Sequence, residues 1–411
     1  MDSNQRVRAA ALFVDEVTYE VTAGCDVDSD CVVVAVFNSQ TGAMEVREFS
    51  QSQREAMAAA NWLRTQAVEC AVLESTANFH HLFYHAFRKR ELNAHILNPM
   101  TIKALLAVEG KSDKADAINM ARLAAHFRLR TSNMPDDTQR EIRMNLRKWD
   151  ADKAARTRAS NSLRSLMTAY RIPIFRRVKP TSASGRNFIQ IIAQAEDMSP
   201  EEVVNFAWQG PRSSKSELVE LLENLNELPR YVREEVALSA AELDRLTDMI
   251  VARRRRAEDH IIHFQLEPQI GWMTTAPAVT PLLALRIIAE AGADFHARYH
   301  SAEAFCKACG LAPSNKVSAG KLLKSKKGQG NQYIKQHFVN AVKGWLISQK
   351  PHPLKTWGAQ YRARAGYKRT TTALAHKIAK SLWYMGRAGG QPYSPRGPAQ
   401  QPAAIAAPSH E

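Results

Sequence analysis

Apolar positions recur with two different periods along this chain, and the period changes mark its divisions. Residues 1–20 are polar and carry no clear period. From Thr22, Ala23-Gly24-Cys25-Asp26-Val27 leads into Cys31-Val32-Val33-Val34-Ala35-Val36-Phe37, a β-branched run of strand length. Met44 to Phe49 alternates as a third strand; Glu69 to Glu74 and Ala94 to Leu97 read as a fourth and fifth. Between them, Gln53 to Gln66 (with Met57, Trp62 and Leu63) and a stretch through Phe79, Leu82, Phe83 and Phe87 have helical spacing. A third helix opens at Lys111-Ser112-Asp113-Lys114-Ala115-Asp116-Ala117 and continues through Ile118, Met120, Leu123 and Phe127. A three-strand meander followed by strands alternating with helices predicts an α/β domain with a mixed five-stranded sheet. That order matches a ribonuclease H-like, or RuvC-like, fold over residues 21–135, after an N-terminal extension of residues 1–20.

Residues 136–268 predict helices, highly charged and short of glycine. Arg140 to Tyr170 carries Ile142, Leu146, Trp149, Leu163 and Leu166, and Arg230 to Leu266 carries Leu238, Leu243, Leu246, Ile250, Ile261 and Phe264, both with heptad-like spacing. A break at Pro173, Pro180, Ser182 and Gly185 follows the first, and Ser216 to Leu228 adds a shorter helical piece. Two such helices can pair as an antiparallel coiled coil or sit in an ordinary bundle. Arg253 to Arg256 reads as a solvated basic face, with nucleic-acid contact the alternative. Residues 269–388 form a further, mainly α domain. Thr274 to Pro281 before an apolar helix looks like a helix–hairpin–helix in which Ala278 and Thr280 replace the usual glycines. Gly310 to Lys321, GLAPSNKVSAGK, reads as a loop, and Gly328-Gln329-Gly330-Asn331 as a turn before a helix from Tyr333 to Leu346. Residues 389–411, rich in Pro, Gln and Ala, read as a disordered tail.

Charge narrows the choice of partner. The 411 residues hold 56 Lys and Arg against 41 Asp and Glu, a net +15 with pI near 9.7. An excess that large, spread over the chain, points to a polyanion, most simply nucleic acid. The five cysteines are scattered, and Cys306-Lys307-Ala308-Cys309 is a lone CxxC without a second pair, so we expect reduced thiols in a cytosolic protein. No stretch is long or apolar enough to span a membrane, and the N-terminus lacks a signal-peptide core.

The candidate chemistry lies in four acids. Asp26 and Glu74 end the first and fourth strands, which are neighbours in such a sheet. Asp113 and Asp116, three apart, project from one helix face. Converging, they would repel strongly at low dielectric, and two hard divalent cations would offset this, oxygen ligands suiting Mg2+. Paired metals can stabilise the attacking and leaving oxygens of a phosphodiester. Asp28 and Asp30 rank second, because strand alternation turns them away. Ser112 as a helix cap, with acids suiting the helix dipole, is the bland alternative.

Gly24-Cys25-Asp26-Val27, Leu73-Glu74-Ser75-Thr76, Asn98-Pro99 and Lys111 to Ala117 resemble the DEDD transposases of the IS110 and IS1111 insertion sequences. GLAPSNKVSAGK and the following Ser325-Lys326-Lys327-Gly328-Gln329-Gly330-Asn331 resemble that family's second domain. The resemblance covers roughly residues 22–127 and 270–350. It implies a bacterial, cytoplasmic, nucleoid-associated DNA recombinase. Asp26, Glu74, Asp113 and Asp116 would hold the metals, and Ser318 would be the nucleophile by its place in the motif, with Ser314 the fallback. It also implies a guide RNA encoded by the element. Attack by serine conserves the phosphodiester energy for rejoining, and no P-loop motif for ATP is present. Lys321, Lys324, Lys326, Lys327, Arg362, Arg364, Lys368 and Arg369, interleaved with Trp357, Tyr361 and Tyr367, fit backbone neutralisation plus stacking. The long helices would otherwise expose apolar stripes, and recombination joins four DNA ends, so a homo-oligomer, a dimer of dimers, is expected. Two other readings stay open: a metal-dependent nuclease or junction resolvase without a covalent step, and a binding protein that has lost its activity.

Overall fold

A computed structural model describes residues 13–16, 19–75, 78–97, 112–129, 131–132, 134–170, 179–182, 185–186, 189, 228–312, 314–318, 321–326 and 330–394. The chain divides into two compact units, residues 1–134 and 135–411.

The first unit is built on a sheet. Its strands are β1 (Phe13–Glu16), β2 (Val21–Val27), β3 (Cys31–Asn38), β4 (Met44–Ser50), β5 (Cys70–Glu74), β6 (Ala94–Leu97), β7 (Phe127–Leu129) and β8 (Thr131–Ser132). Six of them form one sheet in the order β4-β3-β2-β5-β6-β8. β2, β3 and β4 are an antiparallel meander, β5 and β6 add in parallel to β2, and β8 closes the edge antiparallel to β6. The five expected strands are therefore contiguous, in the order of a ribonuclease H-like fold, with a short sixth strand that periodicity cannot show. Part of the N-terminal extension is also ordered: β1 pairs antiparallel with β7 as a separate ribbon.

Strand alternation sorts the two faces of this sheet. Ala23, Cys25, Val27, Val32, Val34, Ala71 and Leu73 pack with helices α1 (Gln53–Thr65) and α2 (His80–Lys89). Val33, Ala35, Cys70 and Val72 pack on the opposite side with helix α3 (Asp113–His126). Ser52 caps α1, its side chain accepting from the Glu55 N–H. Asn98, Pro99 and Lys111 lie outside the described residues.

The second unit is helical: α4 (Asp137–Ala169), α5 (Arg230–His263), α6 (Glu267–Thr274), α7 (Pro281–Ala291), α8 (Phe295–Arg298), α9 (Ala302–Ala308), α10 (Gln332–Ile347), α11 (Pro353–Ala365) and α12 (Tyr367–Arg387). α4 and α5 run antiparallel. Glu141 meets Arg256 and His260, Asp152 meets Arg253, and the Tyr170 and Tyr231 hydroxyls meet at 2.7 Å. The apolar stripes thus cover each other within one chain, and Ile142, Leu146, Leu163, Val232, Val236, Leu243 and Leu246 are buried. The antiparallel pairing, one of the two arrangements expected, therefore covers most of the apolar positions that had argued for an oligomer. Met144, Leu238, Val251 and Ile262 remain exposed. Ile142, Leu146, Trp149 and Ala257 also join the core made by α6 to α12, so the root of the helix pair and the C-terminal helices share one interior. The segment 216–227 and the tail beyond 394 lie outside the described residues; before it, Tyr393 donates its backbone N–H to the Thr275 hydroxyl.

One expectation fails here. The stretch expected as a loop after Gly310 forms an antiparallel hairpin, β9 (Ser314–Ser318) with β10 (Lys321–Lys326). The turn between α6 and α7 keeps its shape without glycine: Ala278 takes φ 64°, a left-handed conformation that glycine adopts more readily. Thr280 caps α7 by accepting from the Leu283 N–H.

Candidate active site

The first unit brings Asp26 and Glu74 to one sheet face by strand parity. Thr22, Gly24 and Asp26 are the residues of β2 turned toward α3. Thr22 donates its hydroxyl to the Ala121 carbonyl at 2.8 Å, and a Cβ on Gly24 would sit 2.2 Å from the Ala117 carbonyl oxygen and 2.5 Å from the Ala121 nitrogen. The missing side chain at Gly24 therefore lets α3 close directly onto β2. On β5, Cys70 and Val72 share that face, so Glu74 does too. Cys25 and Leu73 are register partners of parallel strands, so Asp26 and Glu74 leave the sheet side by side at its C-terminal edge.

Ser112 supplies the N-cap of α3, its hydroxyl accepting the Ala115 N–H at 3.2 Å. The first turn that it starts carries exposed Asp113 and half-buried Asp116. Their charge reaches Asp26. Burial, then Glu74, then Asp113 and Asp116 together push the Asp26 carboxyl from 3.8 up to about 7, and a hydrogen bond joins Asp26 to Glu74. Two carboxyls can share such a bond only by keeping a proton. Asp113 is also felt by the Cys31 thiol, which burial chiefly, with Glu48, Asp113 and Asp28, pushes up. Asp28 and Asp30 are exposed in the β2–β3 turn, where the Asp28 carboxylate accepts the Ser29 N–H.

As these side chains stand, no three acidic, histidine or cysteine groups among the described residues draw close enough to cage an ion. The donor set nevertheless fits a hard divalent cation: all of its donors are oxygen, and the raised Asp26 carboxyl marks negative charge that no cation among the described residues balances.

The second unit carries the serine. Ser318 ends β9 and pairs with Lys321, the first residue of β10, so it stands at the hairpin tip. Ser314 pairs with Lys326 at the base, about 13 Å away along the strand. Ala319, Gly320 and Lys327 lie outside the described residues. The base is pinned by Gly330, where a Cβ would fall 2.1 Å from the Lys307 carbonyl oxygen and 2.2 Å from the Gly310 nitrogen. Asn331 then donates its backbone N–H to Ala308, caps α10 through Oδ1, and donates Nδ2 to Glu290 at 2.6 Å.

Sequence reasoning missed what holds α10 there. Asp150, in the middle of α4, accepts from Arg286 at 2.9 Å and from the Tyr333 hydroxyl at 2.6 Å, and meets His337 at 3.0 Å and Lys153 at 3.2 Å. These donors outweigh burial and hold its carboxyl far below the usual range. Glu290, 3% exposed, accepts both Nε and Nη2 of Arg147 at 2.9 Å. Apart from Lys153, one turn along the same helix from Asp150, these partners lie more than a hundred residues apart in the chain, and no local signal reveals them.

The positive charge is also less even than the totals imply. Between Glu303 and Glu411 there is no Asp or Glu, against 18 Lys and Arg. Arg362, Arg364, Lys368 and Arg369 are exposed around the α11–α12 junction, and Lys321, Lys324 and Lys326 lie on β10. Of the Arg253–Arg256 run, Arg253, Arg254 and Arg256 are paired with Asp152, Glu258 and Glu141. The five cysteines are free, and burial pushes the Cys306 thiol up to about 12. Among the described residues no helix is long and apolar enough to cross a membrane.

Comparison with known proteins identifies the family. A transposase family model, of the DEDD type of IS110, matches residues 23–172, and the model for transposases of the IS116/IS110/IS902 family matches residues 272–357. The transposase for insertion sequence element IS1111A of Coxiella burnetii (strain RSA 493 / Nine Mile phase I) is 21% identical over 319 residues, 77% of each chain. Among solved structures, T. thermophilus RuvC in complex with a Holliday junction substrate has 14% identity and a TM-score of 0.23, over 26% of this chain and 99% of that one. The two family models together span more than half of the sequence, one on each side of the long helices, and on them and the related transposase this chain belongs to the IS110/IS1111 family of transposases.

Proposed function

We propose that this transposase cuts and rejoins DNA through a serine–phosphate intermediate. The observation that carries the reading is the meeting of Asp26 and Glu74 at one strand edge, near Asp113 and Asp116, where burial and the neighbouring acids raise the Asp26 carboxyl to about 7. Asp26, Glu74, Asp113 and Asp116 would hold two Mg2+ ions, whose chemistry is to lower the cost of charge on the attacking and leaving oxygens. The Ser318 hydroxyl attacks a DNA phosphorus, its proton passing to solvent or a nearby base. A P–O bond to phosphorus forms, the P–O3′ bond breaks, and the departing oxygen takes a proton to become a 3′-hydroxyl. The reverse attack by a 3′-hydroxyl on the phosphoserine rejoins a strand without an outside energy source.

Lys321, Lys324, Lys326, Lys327, Arg362, Arg364, Lys368 and Arg369 neutralise backbone phosphate. A guide RNA from the element and an assembly of two dimers complete the reading, both on the family resemblance. A suicide DNA substrate tests the chemistry. Wild-type protein with Mg2+ should form a covalent protein–DNA adduct, and Ser318→Ala should not. An adduct that persists in Ser318→Ala moves the nucleophile to Ser314. Metal-dependent cutting with no adduct in any variant makes the enzyme a nuclease or resolvase.

A further inference from the structure

The acid-free stretch that follows Glu303 contains an ordered array of rings and cations whose chemistry fits unpaired nucleotides. α11 and α12 meet at Gly366, which takes φ 77° to turn the chain. Only Gly358 of α11 is fully buried, close against Leu374 of α12, so α11 lies on the surface. Trp357, Tyr361 and Arg364 recur at i, i+4 and i+7, one stripe of that helix. The Trp357 and Tyr361 rings stack, 5.1 Å apart and 12° from parallel. The Arg364 guanidinium lies over Tyr361 at 5.2 Å, and the Lys377 ammonium of α12 lies over Trp357 at 4.5 Å. Beside them Arg362 lies over Tyr367, which is 41% exposed.

A surface that only neutralised a duplex backbone would need the cations and not the rings. These partly exposed rings, stacked on each other with cations over their outer faces, offer π surface on which unpaired bases stack once the cations swing aside. The cations sit on long stems and can swing to a phosphate while the rings keep their places. In a duplex, base faces are already stacked; in an unpaired strand they are free. We infer that Trp357, Tyr361 and Tyr367, with Arg362, Arg364 and Lys377, form a platform for an unpaired polynucleotide strand, its bases against the rings and its phosphates against the cations. Stacking reads the base face, which DNA and RNA share, so the platform takes unpaired strand of either. The inference rests on the nucleic-acid reading of this basic surface and not on the serine chemistry.

The test is direct binding by the full chain in metal-free buffer, where no adduct can form. Fluorescein-labelled oligo-dT, oligo-rU and a duplex of equal length are titrated at low salt and again at about 0.3 M salt, where phosphate contacts weaken most. The unpaired strands should outlast the duplex as salt rises. Trp357→Leu should weaken them about 5- to 150-fold, as loss of one stacked base does, and leave duplex binding within about threefold. Trp357→Phe, which keeps a ring, should restore most of the affinity. If Trp357→Leu is poorly folded by circular dichroism, Tyr361→Leu and Tyr367→Leu take its place with the same expectation. Tighter binding of oligo-dT or of oligo-rU identifies the strand that the platform serves. A duplex bound as well as the unpaired strands at the higher salt, or ring variants that weaken all three ligands equally, would overturn the platform while leaving the adduct assay untouched.

Discussion

At the scale of single residues, Asp26 and Gly24 make opposite demands on the same contact. Burial first, and then the carboxylates that crowd it, make Asp26 hold its proton more tightly than an ordinary carboxyl does. Its folded value, about 7, lies above its ordinary 3.8, so the folded state binds the proton more tightly than the unfolded chain. The associated stability is therefore complete below pH 4 and is lost as pH rises to 7. In metal-free buffer the first unit should lose about 1–2 kcal/mol over that range, less than the shift alone would give because the carboxyl is only half-buried. Thermal melts from pH 4 to 7 should show the loss in wild type and not in Asp26→Asn. A divalent cation added at pH 7 should restore the melting temperature, by binding the folded form alone. Gly24 is needed because α3 leaves no room at that point. Gly24→Ala should cost about 3 kcal/mol or push α3 away, seen as a lower denaturant midpoint together with loss of cation stabilisation. A melt unchanged by Gly24→Ala would mean that α3 does not lie against β2 as described.

At the scale of elements, the sheet was legible because a buried strand needs an unbroken apolar run, and Cys31–Phe37 and Cys70–Leu73 are such runs. The strand-end acids were legible for a related reason: parity and register follow from the strand itself. The hairpin that presents Ser318 was not. Its residues, SNKVS and KLLKSK, lack strand periodicity, and Gly310, Pro313 and Gly320 around them read as loop. What locates it is close packing at Gly330 and the pair of carboxylates under α10, both set by distant chain. Asp150→Ala should show how much that footing matters. It leaves Arg286, 4% exposed, without its carboxylate, and should destabilise the second unit by about 3 kcal/mol. Chemical denaturation followed in the second unit measures this, and an unchanged midpoint would mean that the network contributes little.

At the scale of the whole molecule, the acids and the serine belong to different compact units of one chain. If each catalytic centre joins the acids of one protomer to the serine of another, Ser318→Ala and Asp113→Ala proteins, each inactive alone, should recover cleavage when mixed. Mixed oligomers that form and stay inactive would show that every chain completes its own centre. The antiparallel pair of long helices bears on this through mechanics. Trp149 is fixed in the C-terminal core, while Tyr170 and Tyr231 meet near the other end, about 30 Å along the helix from Trp149. Were the pair to pivot where Trp149 enters the core that carries the serine hairpin, that point would be its fulcrum. A tilt of about 5° at the fulcrum moves the tip by about 3 Å, on the order of one base-pair rise. A ligand gripping the tip would then pass a base-pair step of movement to the core as a small rotation at Asp150, which holds Tyr333 and His337 of α10.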